Sequence, residues 1–191
     1  NGGSPHPNRS HFRSMDIWHT CEPDKIGTEG WMGRAIRELD PKGENVLTGV
    51  NFGRGLPRAL AAPEVPVASV GNLETYGVLT GINDDQRGEA LDIFARMYST
   101  IIGRSTVTDY LSRTGTDALH EADTLSTAPE KYSSTVEYGN NSVAQYMSNI
   151  AQVHLAELGT RVLYTTAPYN SFDTHAGQLT AHSNLWTGAS N

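Results

Sequence analysis

Cysteine is nearly missing from this chain: its 191 residues include one, Cys21. A single thiol excludes an internal disulfide and, without a CxxC partner, a thiolate zinc site. Long apolar runs are missing too. No stretch approaches the roughly 18 residues of a membrane-spanning helix, and the opening residues lack the charged-then-apolar pattern of an export signal. The 19 glycines and 9 prolines are scattered without a period, which excludes a collagen-like chain or a low-complexity linker. No internal repeat is present. Positive charge is scarce: 14 Lys and Arg stand against 21 Asp and Glu, for a net charge of −7, so the basic footprint of a nucleic-acid binder is absent. Beyond Gly159 the only formally charged side chains are Arg161 and Asp173, yet His175 and His182 lie in the same stretch. A lone carboxylate among histidines in a nearly uncharged segment is the first place to look for chemistry.

What is present fits one domain. The chain opens at Asn1 without a Met and stops after an aromatic, helix-like segment. We therefore expect residues 1–191 to form a single α/β domain that is an internal piece of a longer one, lacking strands at both ends. The pattern predicts a short helix over His11 to Thr20 and another over Trp31 to Leu39, with strands over Val46 to Phe52 and Val65 to Val70. Asp84-Asp85 heads a helix whose apolar residues recur at helical spacing, and helix resumes past a break near Gly103. Ser142 with Gln145 has the form of a capping box, heading a helix whose apolar face would carry Val143, Tyr146, Ile150 and His154. Gly159 reads as its left-handed stop. Arg161 to Ala167 then reads as a strand, Pro168 to Thr174 as a loop, and Leu179, His182, Leu185 and Trp186 as one side of a last helix. Helix, strand, loop, helix is the grammar of a parallel sheet, whose ligands gather where strand carboxyl ends give way to loops.

Asp173-Thr174-His175 followed by His182 has the form D-x-H-x6-H. Residues two apart in extended chain point to the same side, and residues seven apart can share a helix face. One oxygen and two nitrogen donors suit a divalent ion of zinc or manganese type. The competing reading is that Asp173 or Thr174 caps the last helix and both histidines are bystanders. Arg9-Ser10-His11-Phe12-Arg13 places a hydroxyl at a helix start, where free N–H groups favour an anion and two arginines flank it. Ser10 is either a nucleophile toward phosphorus or sulfur, with Arg9 or Arg13 holding the nonbridging oxygens, or simply the cap. His11 and His19 read as ligands, as donors behind a ligand, or as neither. In Gly30-Trp31-Met32-Gly33-Arg34, Trp31 reads as a core anchor beside a tight turn. Gly53-Arg54-Gly55 matches no phosphate-binding loop, and no G-x-S-x-G elbow is present.

Pro7-Asn8-Arg9-Ser10-His11-Phe12 with Asp16 and Trp18, then Gly30-Trp31-Met32-Gly33-Arg34, then Phe172-Asp173-Thr174-His175-Ala176-Gly177-Gln178 with His182 form an ordered set. Together they span nearly the whole chain. The set resembles the bacterial domain-of-unknown-function 1501 family, in which R-S-H-F, G-W-L-G-R-like and G-G-F-D-T-H-x-x-Q segments occur in that order. The resemblance implies an alkaline-phosphatase-like and sulfatase-like α/β fold with a mainly parallel sheet flanked by helices. It also implies a metal-dependent hydrolase ancestry and export to the periplasm or cell surface. By resemblance Asp173, His175 and His182 would be metal ligands and Ser10 would stand where the nucleophile is presented. This chain has Asn170-Ser171 where the family often has Gly-Gly. It also lacks the family's Gly-Gly-x-Asp-Gly-like segment, whose Asp would be a further ligand.

The expected function is therefore metal-dependent hydrolysis of a phosphate or sulfate ester, small or polymeric, with no nucleic-acid partner. Two alternatives stand beside it. One is a non-catalytic exported binding or scaffold module on the same fold. The other is a metal-free serine hydrolase using Ser10 and a histidine.

Overall fold

The structure, a computed structural model, describes residues 9–73, 76–77, 82–99, 105–166 and 172–190, with the side chains of Asp84, Ser99, Asp123 and Ala189 left aside. Gly103, Pro7-Asn8 and Ala167 to Ser171, all named above, lie outside the described residues. The chain runs α1 (His11–Thr20), α2 (Trp31–Leu39), β1 (Gly49–Phe52), β2 (Ala68–Val70), α3 (Asp84–Ser99), α4 (Thr106–Leu125), α5 (Ser142–Leu155), β3 (Val162–Thr165) and α6 (Gln178–Ser190), with 3-10 turns at Arg58–Leu60 and Pro129–Lys131. It is an α/β fold. Among the described residues its sheet has three strands in the order β2-β1-β3, all parallel.

The sheet has two unlike faces because side chains alternate along each strand. Val50 and Phe52 of β1, with Ala68 and Val70 of β2, join Leu73, Leu125, Ala128, Val153 and Ala156 in one buried cluster. That face packs under α5 and the end of α4. On the other face Gly49 meets Ile36 of α2, and Asn51 pairs across to Ser69. Asn51 is buried but satisfied: its Nδ2 donates to Gly55 O at 2.9 Å and to Ser69 Oγ at 2.7 Å. Phe52 and Leu125 have no exposed surface, and burial of such side chains contributes about 1.5–3 kcal/mol each.

Local chemistry explains most element ends. Ser10 caps α1, its Oγ accepting the Arg13 N–H at 3.3 Å. Asn141, rather than Ser142, caps α5, accepting from Ala144 N at 2.9 Å. Gln145 accordingly reaches Gly139 O instead of closing a capping box. Gly159 adopts φ +77 as expected, though the helix has already ended at Leu155. Tyr146 and Ile150 of the expected α5 face pack against the buried cluster. Ala144 and Val153 are buried while His154 is exposed, so His154 is not a core histidine. Trp31 is 40% exposed and does not anchor the core. The glycines beside it matter more: a Cβ on Gly30 would stand 2.1 Å from Ala59 O, and one on Gly33 2.7 Å from Leu60 O. The G-W-M-G-R segment is thus a packing device that seats α2 on the Arg58–Leu60 turn.

Candidate functional site

Parallel strands place all their carboxyl ends on one edge. Because β2 lies on one side of β1 and β3 on the other, the edge between β1 and β3 is where the strand order reverses. Ligands of open α/β sheets collect at such a point. Thr165 closes it with a hydrogen bond from its Oγ1 to Phe52 O at 2.9 Å. In sequence, Asp173 and His175 come after β3 and before α6.

Three side chains meet at Asp173. Asp173 Oδ2 lies 3.3 Å from His11 Nδ1 and 3.5 Å from His175 Nε2. His11 comes from the first turn of α1, and His175 from the bend before α6. The side chains are open to solvent, at 65% for His11, 45% for Asp173 and 82% for His175. Asp173 and His175 thus converge as their two-residue spacing suggests.

His182 does not join them. Its Nε2 lies 3.0 Å from the Phe172 carbonyl and 3.2 Å from Thr174 Oγ1. A carbonyl only accepts, so this contact assigns the proton to Nε2 and leaves that nitrogen no lone pair for a cation. The reason is where the helix begins. α6 starts at Gln178 after Gly177 at φ +62, so His175 precedes the helix and the seven-residue spacing no longer defines one face. Neither Asp173 nor Thr174 caps α6, whose first turn closes from Ala181 N to Gly177 O at 3.1 Å. Phe172 packs edge-on to the His182 ring at 5.6 Å and tilts against Trp186 at 5.1 Å, tying the loop to the helix.

The serine and arginines behind this trio divide sharply. Ser10 Oγ serves the α1 cap, beside His11 in sequence. Arg9 is exposed. Arg13 is committed: it is ion-paired with Asp16 Oδ2, and its Nη2 donates to Glu22 O at 3.0 Å and Pro23 O at 2.8 Å. Arg58 reaches Asp16 Oδ1 at 2.8 Å and the Gly27 carbonyl, while Arg34 donates to Thr20 O at 2.9 Å, at the carboxyl end of α1. Asp16, nearly buried, is the hub that fixes α1 to the turn after β1. This network was not legible as such, since Arg58 stands far along the chain.

A donor set of one carboxylate and two imidazoles is right for a zinc-type or manganese-type ion. Two donors about 2.0–2.1 Å from a tetrahedral ion stand about 3.3–3.4 Å apart. The two N···O separations at Asp173, 3.3 and 3.5 Å, are longer than a charge-assisted hydrogen bond of about 2.7–2.9 Å. Among the described residues, no group of three His, Cys, Asp or Glu is already arranged to hold an ion. The site's chemistry fits a cation, and its exposed rings have room to turn toward one.

Elsewhere, a cavity of about 200 Å³ is lined by Arg37, Asp40, Lys42, Thr48 and Arg113. It lies before β1, at the amino end of the sheet. Its Asp40 is held below the ordinary carboxylate range by the N–H groups of Asn45 and Glu44, a loop-closing role. No described helix is long and apolar enough to cross a membrane. No protein-family model, curated protein or solved structure matches this chain.

Proposed function

We propose that this chain is a metal-dependent hydrolase of phosphate or sulfate esters, alkaline-phosphatase-like in fold, whose divalent ion of zinc or manganese type is held by Asp173 and His175. One observation carries the reading: a single Asp173 oxygen stands between two imidazoles, in the stretch of chain between β3 and α6. When bound, a divalent ion lowers the pKa of a water or hydroxyl and offsets negative charge developing on the ester.

The chain's own residues supply the rest. Ser10 is the nucleophile of this reading, at a helix N-terminus whose N–H groups favour the anionic ester. Its Oγ loses a proton and bonds to phosphorus or sulfur while the ester bond breaks and the alcohol leaves with a proton. Water then releases the acid and restores Ser10. Arg9, which is exposed, orients the nonbridging oxygens. Arg13, tied to Asp16, acts by holding α1 rather than by touching the ester.

Metal analysis of the purified protein tests this. Bound divalent ion is expected, falling sharply in Asp173→Ala and His175→Ala. Unchanged metal content in those variants contradicts the proposal. Labelling of Ser10 by a fluorophosphonate after complete chelation would instead favour the metal-free serine hydrolase.

A further inference from the structure

We infer that the third donor of this centre is His11, from α1, and that His182 is a positioning residue for the loop that carries Asp173. The inference rests on the metal reading of the preceding section and changes its ligand set. Three observations carry it. His11 Nδ1 stands 3.3 Å from the same Asp173 oxygen that His175 Nε2 approaches at 3.5 Å. His182 Nε2 is occupied by the Phe172 carbonyl, the residue immediately before Asp173. The element that presents His11 is itself firmly anchored: Arg13, Arg34 and Arg58 pin α1 through Asp16 and Thr20 O.

The division of labour is physical. A ligand must offer a bare ring nitrogen, which His11 can do at Nδ1 with its proton on Nε2, because its ring is mostly in solvent. A positioning histidine must keep its proton, and His182 does so by donating to Phe172 O. Groups of this second kind orient the ligands they support. Closure of the third side of the site, between His11 and His175, falls to rotation of two exposed rings.

Zinc titration of the full chain carrying 15N-labelled histidine separates these roles. The ring nitrogens of His11 and His175 are expected to shift on zinc addition, while the His182 Nε2 proton persists. In parallel, calorimetric titration is expected to show zinc affinity falling about 10-fold or more in His11→Ala and His11→Gln. His182→Gln keeps an N–H donor toward Phe172 O, and its affinity is expected to stay within about threefold of the parent. Loss of the His182 Nε2 proton with an unmoved His11, or equal weakening in His182→Gln and His11→Ala, overturns the assignment and leaves the metal reading standing. No response from any histidine overturns both.

Discussion

α1 carries two carboxylate-centred clusters at opposite depths, and they are built for different ends. At its inner side Asp16 is nearly buried, is met by Arg13 and Arg58, and is surrounded by guanidinium bonds to the carbonyls of Glu22, Pro23 and Gly27. At its outer end Asp173 is half exposed and is met by two imidazoles. Permanently charged donors that also satisfy loop carbonyls make a structural fastening. Imidazoles with solvent-facing rings leave coordination capacity unused. The lesson is that sequence proximity of charged groups does not reveal use; what else each partner bonds does.

Removing either hub should therefore have opposite consequences. Asp16→Ala leaves two guanidiniums facing a site without an anion, and we expect a loss of about 2–4 kcal/mol by urea denaturation, below the fully buried range because both arginines reach solvent. A loss under about 0.5 kcal/mol would show that the fastening is ornamental.

A third carboxylate extends the contrast, since Glu121 of α4 is buried with a hydroxyl partner in place of a cation. Tyr76 donates to its Oε2 at 3.2 Å, and burial pushes the Glu121 carboxyl up to about 7. The same burial pushes the Tyr76 phenol well up, aided by the carboxylate beside it. The folded chain thus holds a proton that the unfolded chain releases near 4.5, so stability falls as pH rises from about 4.5 to 7 and is level above. Glu121→Gln cannot lose that proton. It should be more stable than the parent at pH 8, by about 2 kcal/mol, and indistinguishable near pH 4. A gain that does not vary with pH would contradict the burial account.

Smaller effects separate capping from catalysis at Ser10. Ser10→Ala is expected to cost about 1 kcal/mol in thermal or urea unfolding, the usual value of a lost N-cap. Ser10→Asn keeps the cap and should restore stability while leaving ester hydrolysis abolished. Activity that returns with stability would remove Ser10 from the reaction. Asp173→Ala sits at the end of the scale: exposed on a loop, it should change stability by less than about 0.5 kcal/mol. A large destabilisation there would make Asp173 a second Asp16.

Much of the fold was legible because it is locally encoded. The extents of α1 and α2, the cap at Ser10 and the helix, strand, helix order around β3 follow from residues a few positions apart. The candidate site was half legible for the same reason. Asp173 and His175 are two apart in the short segment before α6, so their meeting is a local matter. His182 was misplaced because one residue, Gly177, sets where α6 begins. His11 and the Asp16 network depend on contacts between segments remote in the chain, which periodicity does not encode. Its place in the R-S-H-F segment was the one available signal for His11.

The most direct measurement is a crystal structure of the chain grown with zinc. We expect an anomalous peak about 2.0–2.2 Å from an Asp173 oxygen and from a ring nitrogen of His175. Zinc bound elsewhere with Asp173 and His175 uncoordinated, or no zinc at saturating concentration, would contradict the account.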